Sequence, residues 1–530
     1  MKTDFDAVIV GAGFAGMYML YRLRKLGLTV RVIEKADDVG GTWYWNRYPG
    51  ARCDIESIQY SYSFSDELQQ EWNWSERYAT QSEILSYANH VVEKLSLRSD
   101  MQFGSTVETT VFDETAYHWN IGIRSGEIRE FLTCRFCIMA TGCLSTPNEP
   151  VVPGLEQFAG SVYHTADWPD TSVDFRNQRV AVLGTGSSGI QTAVALAAVA
   201  EHLTVFQRTP NYVVPDANHA FESEQLARVK ADYPAIRAQA KLCRNGVAQE
   251  IVALSALEVS QTERNRRYQE RWDKGGLTFI GAFSDLILDA AANKTVADFV
   301  REKIRTIVQD PATAKLLSPT STFGCKRLCV SSSYYSIFNR ENVALVDTSA
   351  GVDEISERGL IVAGQEYPAD SIVLATGFDA MTGTLNRIRI VGKQGEALKN
   401  RWNEGPTGYL GLMISGFPNL FTITGPGSPS VLSNVLMSIE YHVNWISDCL
   451  KFMSDRKFQV IEPRTQAEDE WADEVASIVD NTLYRTCNSW YLGVNVPGKP
   501  KKFMPYPGVP SYESRCSSIA KNNYVGFDFS

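Results

Sequence analysis

Between Phe5 and Val10 the chain reads FDAVIV, a segment apolar without a break from Ala7 and rich in β-branched residues, as expected of a strand buried in a parallel sheet. A glycine-rich turn, GAGFAG, follows at once. Next come a helical stretch that ends near Gly27 and a second apolar strand, TVRVIEKA, with Glu34 at its end. The same alternation returns around Arg179, with QRVAVLGTGSSG as strand and turn, IQTAVALAAVA as helix and HLTVFQRTP as the next strand. Two such strand–helix–strand units predict two dinucleotide-binding domains. Two further strands end in near-identical glycine turns, CIMATG at Cys137 to Gly142 and IVLATG at Ile372 to Gly377, and each is expected to close one of the domains.

From about Pro215 to Ser318 the strand pattern fades and helical periodicity replaces it, most clearly in ESEQLARVKADY, TERNRRYQERW and VADFVREKIRTIV. After Gly377 the chain is expected to return to the first domain, because FTITGPGSPS again reads as strand and glycine turn facing a helix, LMSIEYHVNWISDCL. The predicted fold class is therefore α/β, with two Rossmann-like dinucleotide-binding domains and a helical insertion in the second. The expected boundaries are 1–145 and 385–530 for a discontinuous first domain, 152–214 and 325–380 for the second, and 215–324 for the insertion.

Composition narrows the class without changing it. A chain of 530 residues is too long for one core. A hydrophobic share of 44% with 21% charged residues is that of a soluble globular protein. The net charge of -10 offers no basic face to nucleic acid or anionic lipid, so any phosphate site must be built from a few placed groups. Asp4 and Asp6 precede the first apolar run and glycines interrupt it, unlike a secretory signal, and no apolar run is long enough to span a membrane. A cytoplasmic, monomeric chain is expected. Ten cysteines in 530 residues are too sparse for a disulfide framework and are expected to be reduced thiols. The CxxC pair of Cys134 and Cys137, in LTCRFCIMATG, reads as part of a strand. The six histidines (His90, His118, His164, His202, His219, His442) show no metal-binding spacing, so no metal is expected.

The two glycine loops differ in the residue that comes after them. In the first (Gly11, Gly13 and Gly16, with Phe14 and Ala15 opening the helix), Glu34 stands 21 residues after Gly13, where a carboxylate accepts hydrogen bonds from ribose hydroxyls. Lys35 adjoins it. That arrangement suits FAD or NAD and repels a 2′-phosphate. In the second (Gly184, Thr185, Gly186, Ser187, Ser188 and Gly189, with Gln191 next on the helix), the corresponding position holds Arg208, then Thr209. A guanidinium there pairs with the 2′-phosphate of NADP. Disulfide reductases place a cysteine pair shortly after the first acidic strand, but DDVGGTWYWNRYPGARCDIES holds only Cys53. It offers instead Gly41, Thr42, Trp43, Tyr44, Trp45 and Tyr48, with Tyr60 beyond, an aromatic set able to pack a flavin and exclude water. For any single one of these aromatics, simple core packing is the alternative.

Between the two loops lies FAGSVYHTADWP, which fits the pattern FxGxxxHxxxW(P/D) through Phe158, Gly160, His164, Trp168 and Pro169. With GGTWYWNRYPGARCDIES, GTGSSGIQ, VFQRTP, FGCKRL, YYSIFNRENV, LATGFDA and GPGSPSVLSN, the chain resembles the type I Baeyer-Villiger monooxygenases, class B flavoprotein monooxygenases, over essentially its whole length. The resemblance implies an enzyme in which NADPH reduces FAD, O2 adds to the flavin as a peroxide, and cyclic, aryl or linear ketones become esters or lactones, with sulfoxidation as a side activity. It implies Arg327 as the catalytic arginine, Asp54 as the acid that positions it, and Lys326 beside Arg208 and Thr209 on the NADP phosphate. Trp490 matches a tryptophan of a mobile loop that closes over NADP and substrate, although ordinary packing fits it equally. Ser430, Val431 and Leu432 match a substrate-lining loop, and Cys143 stands where a polar pocket residue is expected. His164 is read as lying in a linker, with a structural or conformational role set against an acid–base one. The rivals are a heteroatom-oxidising flavin monooxygenase, which usually has Phe or Tyr at the position of Trp168, and a non-catalytic nucleotide-sensing flavoprotein.

Overall fold

The computed structural model describes residues 3–150 and 152–530; Met1, Lys2 and Val151, including the first positions of the expected first domain, lie outside the described residues. The FDAVIV run forms β1 (Phe5–Val10), central in an eight-stranded sheet, where Ala7, Val8 and Ile9 are wholly buried. Burial on both faces explains why the strand is continuously apolar from Ala7 rather than alternating. Helix α1 (Phe14–Lys25) leads to β2 (Val30–Ile33), parallel to β1. The sheet continues with β3 (Met101–Gln102) outside β2, and on the other side β6 (Ile128–Met139), β5 (His118–Ser125) and β4 (Thr106–Asp113). Two late strands complete it: Arg389–Val391 pairs with β4, and Leu420–Thr422 with β6. Residues more than 250 positions apart thus share one sheet.

The second sheet has five strands, all parallel. They are β7 (Ser161–His164), β8 (Arg179–Leu183), β9 (His202–Gln207), β10 (Val343–Asp347) and β11 (Ser371–Leu374), in the order β10-β9-β8-β11-β7. His164, read from sequence as part of a linker, is therefore the last residue of an edge strand. Helix α2 (Ser187–Ala197) crosses from β8 to β9. Between β9 and β10 stand α3 (Ser223–Leu242), α4 (Gln261–Lys274), α5 (Ala290–Ile307) and α6 (Pro311–Leu317). Three of these start at side-chain caps: Ser260, Asp289 and Asp310 accept hydrogen bonds from first-turn N–H groups. Their core is aromatic, with Tyr268, Trp272, Phe279 and Phe323 buried together. Near the C-terminus, α7 (Val435–Arg456) packs on α1, where the Tyr18 hydroxyl donates to Asn444 Oδ1 at 2.8 Å.

The repeated ATG turns have a common cause. Gly11 (φ +107°) and Gly184 (φ +115°) end β1 and β8, and a Cβ on either would lie 2.6 Å from Ala140 O or 2.4 Å from Ala375 O. Ala140 N–H bonds to Val10 O and Ala375 N–H to Leu183 O, each at 2.9 Å, so each ATG backs its glycine loop. A Cβ on Gly16 or Gly189 would meet Gly11 O at 1.9 Å or Gly184 O at 2.1 Å, so both helices start tight against their strands. One expectation is corrected: Cys325 and Cys487, 162 residues apart with Cα atoms 6.2 Å apart, form a disulfide. Sparse spacing gave no sign of a pairing made only by the fold. The other eight cysteines, Cys134 and Cys137 on β6 among them, are buried thiols.

Gly16→Ala should cost about 1–3 kcal/mol, the usual penalty for overpacking. It should lower the urea midpoint and the flavin bound per purified chain, read from the visible-to-ultraviolet absorbance ratio. Gly186→Ala, whose Cβ would have nothing within 4 Å, should leave the midpoint in place.

Candidate active site

Arg327 and Asp54 lie 273 residues apart and meet face to face. Arg327 Nε–H donates to Asp54 Oδ2 and Nη2–H to Oδ1, both at 2.7 Å, while Nη1–H donates to the carbonyl of Val431 at 2.7 Å. Three segments converge here: the stretch after the aromatic GGTWYW turn, the exit of the helical insertion, and the SPSVLSN turn. Burial pulls the guanidinium pKa down, but the charge and hydrogen bonds of Asp54 outweigh it, and the net shift is upward. Arg327 is a permanent cation. Of its five N–H donors three are used, which leaves two for a ligand. The side chains are 24% and 19% exposed, so the pair lines a cleft rather than a sealed core.

Tyr491, only 2% exposed, has its hydroxyl pKa raised by burial, with the charge of Arg327 acting against the shift. Trp490, the residue singled out from sequence, is half-buried with its ring centroid 4.4 Å from that of Tyr491.

The first glycine loop is organised by Glu34, 6% exposed, whose Oε2 accepts from Ala12 N–H at 2.6 Å and Oε1 from Ala36 N–H at 2.7 Å. Burial raises its pKa and the backbone bonds oppose that. Each oxygen keeps a lone pair for a ribose hydroxyl, so the donor set fits an adenosine without a 2′-phosphate. Gly13 and Gly41 face one another so closely that a Cβ on Gly41 would lie 3.0 Å from Gly13 Cα, and Thr42 beside them is exposed. Phe14 and Ala15, both 6% exposed, open α1 behind them. Trp43 Nε1–H donates to the Tyr60 hydroxyl at 3.0 Å, Tyr60 meets Phe14 edge-on, and Lys35 Nζ sits 5.2 Å from the Trp45 ring centroid. Tyr48 and Gln191 join the two units. The Tyr48 hydroxyl donates to Gln191 Oε1 at 2.9 Å and Gln191 Nε2–H to Arg52 O at 3.1 Å, clasping the two nucleotide-binding units together.

In the second loop Gly186 is exposed, Thr185 Oγ1 donates to Thr209 O at 3.0 Å, and Ser187 and Ser188 open α2. Arg208 and Thr209 are exposed just past β9. Burial, and after it the charge of Arg208, pushes the Lys326 ammonium below its ordinary pKa. Among the described residues neither cation makes a salt bridge. Two neighbouring cations without a counter-charge fit the extra phosphate of NADP.

His164 has both ring nitrogens occupied. Nδ1 accepts from Ala166 N–H at 3.0 Å, so Nε2 carries the proton and donates to Thr376 Oγ1 at 3.2 Å, and that hydroxyl donates to Asn148 O at 2.6 Å. Burial lowers its pKa. Trp168 packs on Tyr163 and Phe175 at centroid distances of 5.2 and 6.1 Å. Asp170, just beyond, forms an ion pair with Arg47 of the aromatic stretch.

Cys143 Sγ–H contacts Thr424 O at 3.3 Å and Oγ1 at 3.2 Å, next to Ser430 and Met381. Thr424 holds φ +59°, unusual for a β-branched residue. His442, fully buried, stabilises it: Nδ1 accepts from Thr424 N–H at 3.0 Å, and Nε2–H donates to the Tyr512 hydroxyl at 2.9 Å, which donates to Leu410 O at 2.7 Å. Neither His442 nor Tyr512 was singled out from sequence, since each lies in an ordinary amphipathic helix pattern.

Comparison with known proteins matches residues 8–268 to the pyridine nucleotide-disulphide oxidoreductase family model. The chain is 40% identical over 99% of its length to a Baeyer-Villiger monooxygenase of Pseudooceanicola batsensis (96% of that protein), and 38% identical over 99% to a phenazine N-monooxygenase of Lysobacter antibioticus (97% of that protein). Among solved structures it resembles an oxidised steroid monooxygenase bound to NADP, with 46% identity, TM-score 0.94 and 99% of both chains covered. It likewise resembles OTEMO in complex with FAD and NADP, with 37% identity, TM-score 0.96 and 100% of both.

Burial lowers the His442 pKa from 6.5 to about 3. Between those values the unfolded chain binds a proton that the folded chain refuses, so stability falls as pH falls, by about 1.4 kcal/mol per unit from this group. Urea midpoints measured from pH 6 to 4.5 should drop more steeply for the wild type than for His442→Gln; equal slopes would contradict the assignment.

Proposed function

The chain belongs to the Baeyer-Villiger monooxygenase family, and we propose from its site that it oxidises hydrophobic ketones to esters or lactones, with Arg327 as the catalytic residue and Asp54 as the residue that positions it. It is an FAD- and NADPH-dependent enzyme. The observation that carries the reading is the fixed cation: a guanidinium locked in place by Asp54 and the Val431 carbonyl, with two N–H groups still to give. Inserting oxygen beside a carbonyl places negative charge on the ketone oxygen as its carbon becomes tetrahedral. Preorganised donors in a water-poor cleft stabilise such charge better than mobile water does. When bound, FAD supplies acceptance of hydride from NADPH and activation of O2.

The remaining assignments rest on the same supports. Glu34 and the Gly11–Gly13–Gly16 turn would hold the FAD adenosine and pyrophosphate, with Trp43, Trp45 and Tyr60 walling the flavin side. Arg208, Thr209 and Lys326 would hold the NADP phosphate beside the Gly184–Gly186–Gly189 turn. We divide the chain accordingly into an FAD domain (1–145, 385–530), an NADP domain (152–214, 325–380) and the insertion (215–324). Ser430, Val431, Leu432 and Cys143 would shape the ketone pocket. No helix among the described residues is long and apolar enough to cross a membrane, and we place the chain in the cytoplasm. The N-oxidising relative favours a second reading, oxidation of a ring nitrogen. Trp168 in the fingerprint supports the ketone reading, and product analysis with a ketone and an aromatic amine decides between them.

Arg327→Ala should retain flavin reduction by NADPH yet lose ester formation by roughly 10²–10³-fold, the scale of losing a preorganised charge stabiliser. Ester formation at wild-type rate would overturn the role. Arg208→Ala should raise the KM for NADPH about 10–100-fold, the equivalent of one charge-assisted hydrogen bond, and leave that for NADH nearly unchanged. An equal rise for both cofactors would remove Arg208 from the phosphate site.

A further inference from the structure

We propose that Cys325 and Cys487 form a thiol–disulfide switch on the active site: as a cystine they hold the segment bearing Trp490 and Tyr491 against the segment bearing Lys326 and Arg327, and as two thiols they release it. The proposal rests on the roles assigned above to Arg327 and Lys326. Its basis is placement. Cys325 immediately precedes Lys326 and Arg327, and Cys487 lies three residues before Trp490. Downstream, the Trp490 segment is tied by Asn495 Nδ2–H to Phe378 O at 2.7 Å and by Lys499 Nζ to Asp379 Oδ1 and Ala380 O at 2.5 and 2.7 Å. Upstream, the cystine is the principal tie. Without it there remain an exposed hydroxyl pair, Thr486 Oγ1 to Thr322 Oγ1 at 2.8 Å, one backbone bond, Leu483 N–H to Ile287 O at 2.9 Å, and the packing of the Tyr484 ring on Tyr491 and Phe503. Reduction therefore loosens one end of the stretch that the cystine fastens next to Lys326 and Arg327, and leaves the other end fixed.

The chemistry of access points the same way. Eight cysteines are buried thiols, and buried thiols are inert. Cys325 is 1% exposed, whereas Cys487 is partly exposed, so a reagent in solution reaches the bond through the Cys487 sulfur. A reducing thiolate attacks that sulfur, Cys325 leaves as a thiol, and a second thiol of the reductant displaces Cys487 and becomes a disulfide itself. The reverse step uses hydrogen peroxide: two thiols and one H2O2 give the cystine and two waters, with the sulfurs supplying two electrons and the thiols two protons. A flavin monooxygenase makes that oxidant itself whenever NADPH, a proton and O2 yield NADP+ and H2O2 without oxygenating a substrate. In a reducing cytoplasm, cystines are typically transient and redox-sensing rather than structural. The clamped form is the coupled one. The reduced form leaks peroxide, and the peroxide restores the clamp.

The test uses the holoenzyme after peroxide treatment, and again after dithiothreitol treatment and desalting. Thiol titration in denaturant should count eight thiols in the first state and ten in the second, with the missing pair mapped to Cys325 and Cys487 by peptide mass. On reduction, KM for NADPH and peroxide released per NADPH should rise, on the order of tenfold, well short of the ~10²-fold loss that full misplacement of a site can bring. The Cys325→Ser/Cys487→Ser double variant should match the reduced wild type in both conditions. If it does not fold, Cys487→Ser alone serves, since that position is partly exposed. Ten thiols after peroxide, unchanged KM and coupling on reduction, or a variant that still responds to dithiothreitol would each overturn the switch. Failure to form ester in either state would instead refute the proposed function, and the thiol count and the KM for NADPH would still decide the switch.

Discussion

The bidentate pairing of Arg327 with Asp54 is the constraint around which the rest of the cleft is arranged. A guanidinium held in so sheltered a place is tolerable only if a carboxylate compensates its lost hydration, and a carboxylate that accepts both parallel N–H bonds also fixes the plane of the cation. The third donor, to Val431 O, extends the same rigidity into the SPSVLSN turn. One charge thereby registers three segments that the chain delivers from widely separated positions. Partial exposure of both side chains keeps the desolvation cost below that of a fully buried pair, and leaves the remaining N–H groups accessible to a ligand.

Around that pair the chain uses one architectural device twice and distinguishes the copies by charge. Both loops are glycine turns backed by an ATG carbonyl, and both place a second glycine where the helix meets the loop. The charged residues beyond the two turns differ. Glu34 is buried and already accepts two backbone N–H bonds, a site hostile to further negative charge, whereas Arg208 and Lys326 repel one another until an anion joins them. The proposed distribution of FAD and NADP over two nearly identical cradles thus rests on electrostatics.

Differences in range along the chain account for the parts that were legible in the sequence. The strand–glycine–helix units and the helical run after Pro215 depend on neighbours close along the chain, and local pattern reports them well. The family motifs pointed to Arg327 and Asp54 as partners, and the contact is there. The Cys325–Cys487 bond and the His442–Thr424 support were not legible, because each is made by segments that meet only after folding. The bridge that Gln191 makes to Tyr48 and Arg52 O was not legible for the same reason.

The segment from Phe158 to Pro169 shows how a fingerprint can identify a reaction without performing it. Phe158 is buried against Ile355 and Leu360, His164 spends both nitrogens on hydrogen bonds, and Trp168 is packed between two aromatic rings. None of these side chains offers a proton or a charge to a substrate. As β7 the segment holds the edge of the second sheet through β11, and just beyond it Asp170 pairs with Arg47 of the aromatic stretch of the first unit. A brace in that position sets how the two units face one another, and with them the distance over which hydride must pass. On the proposed reading the chemistry of ketone oxidation falls to the fixed cation, and the fingerprint serves it by holding the two cradles in register.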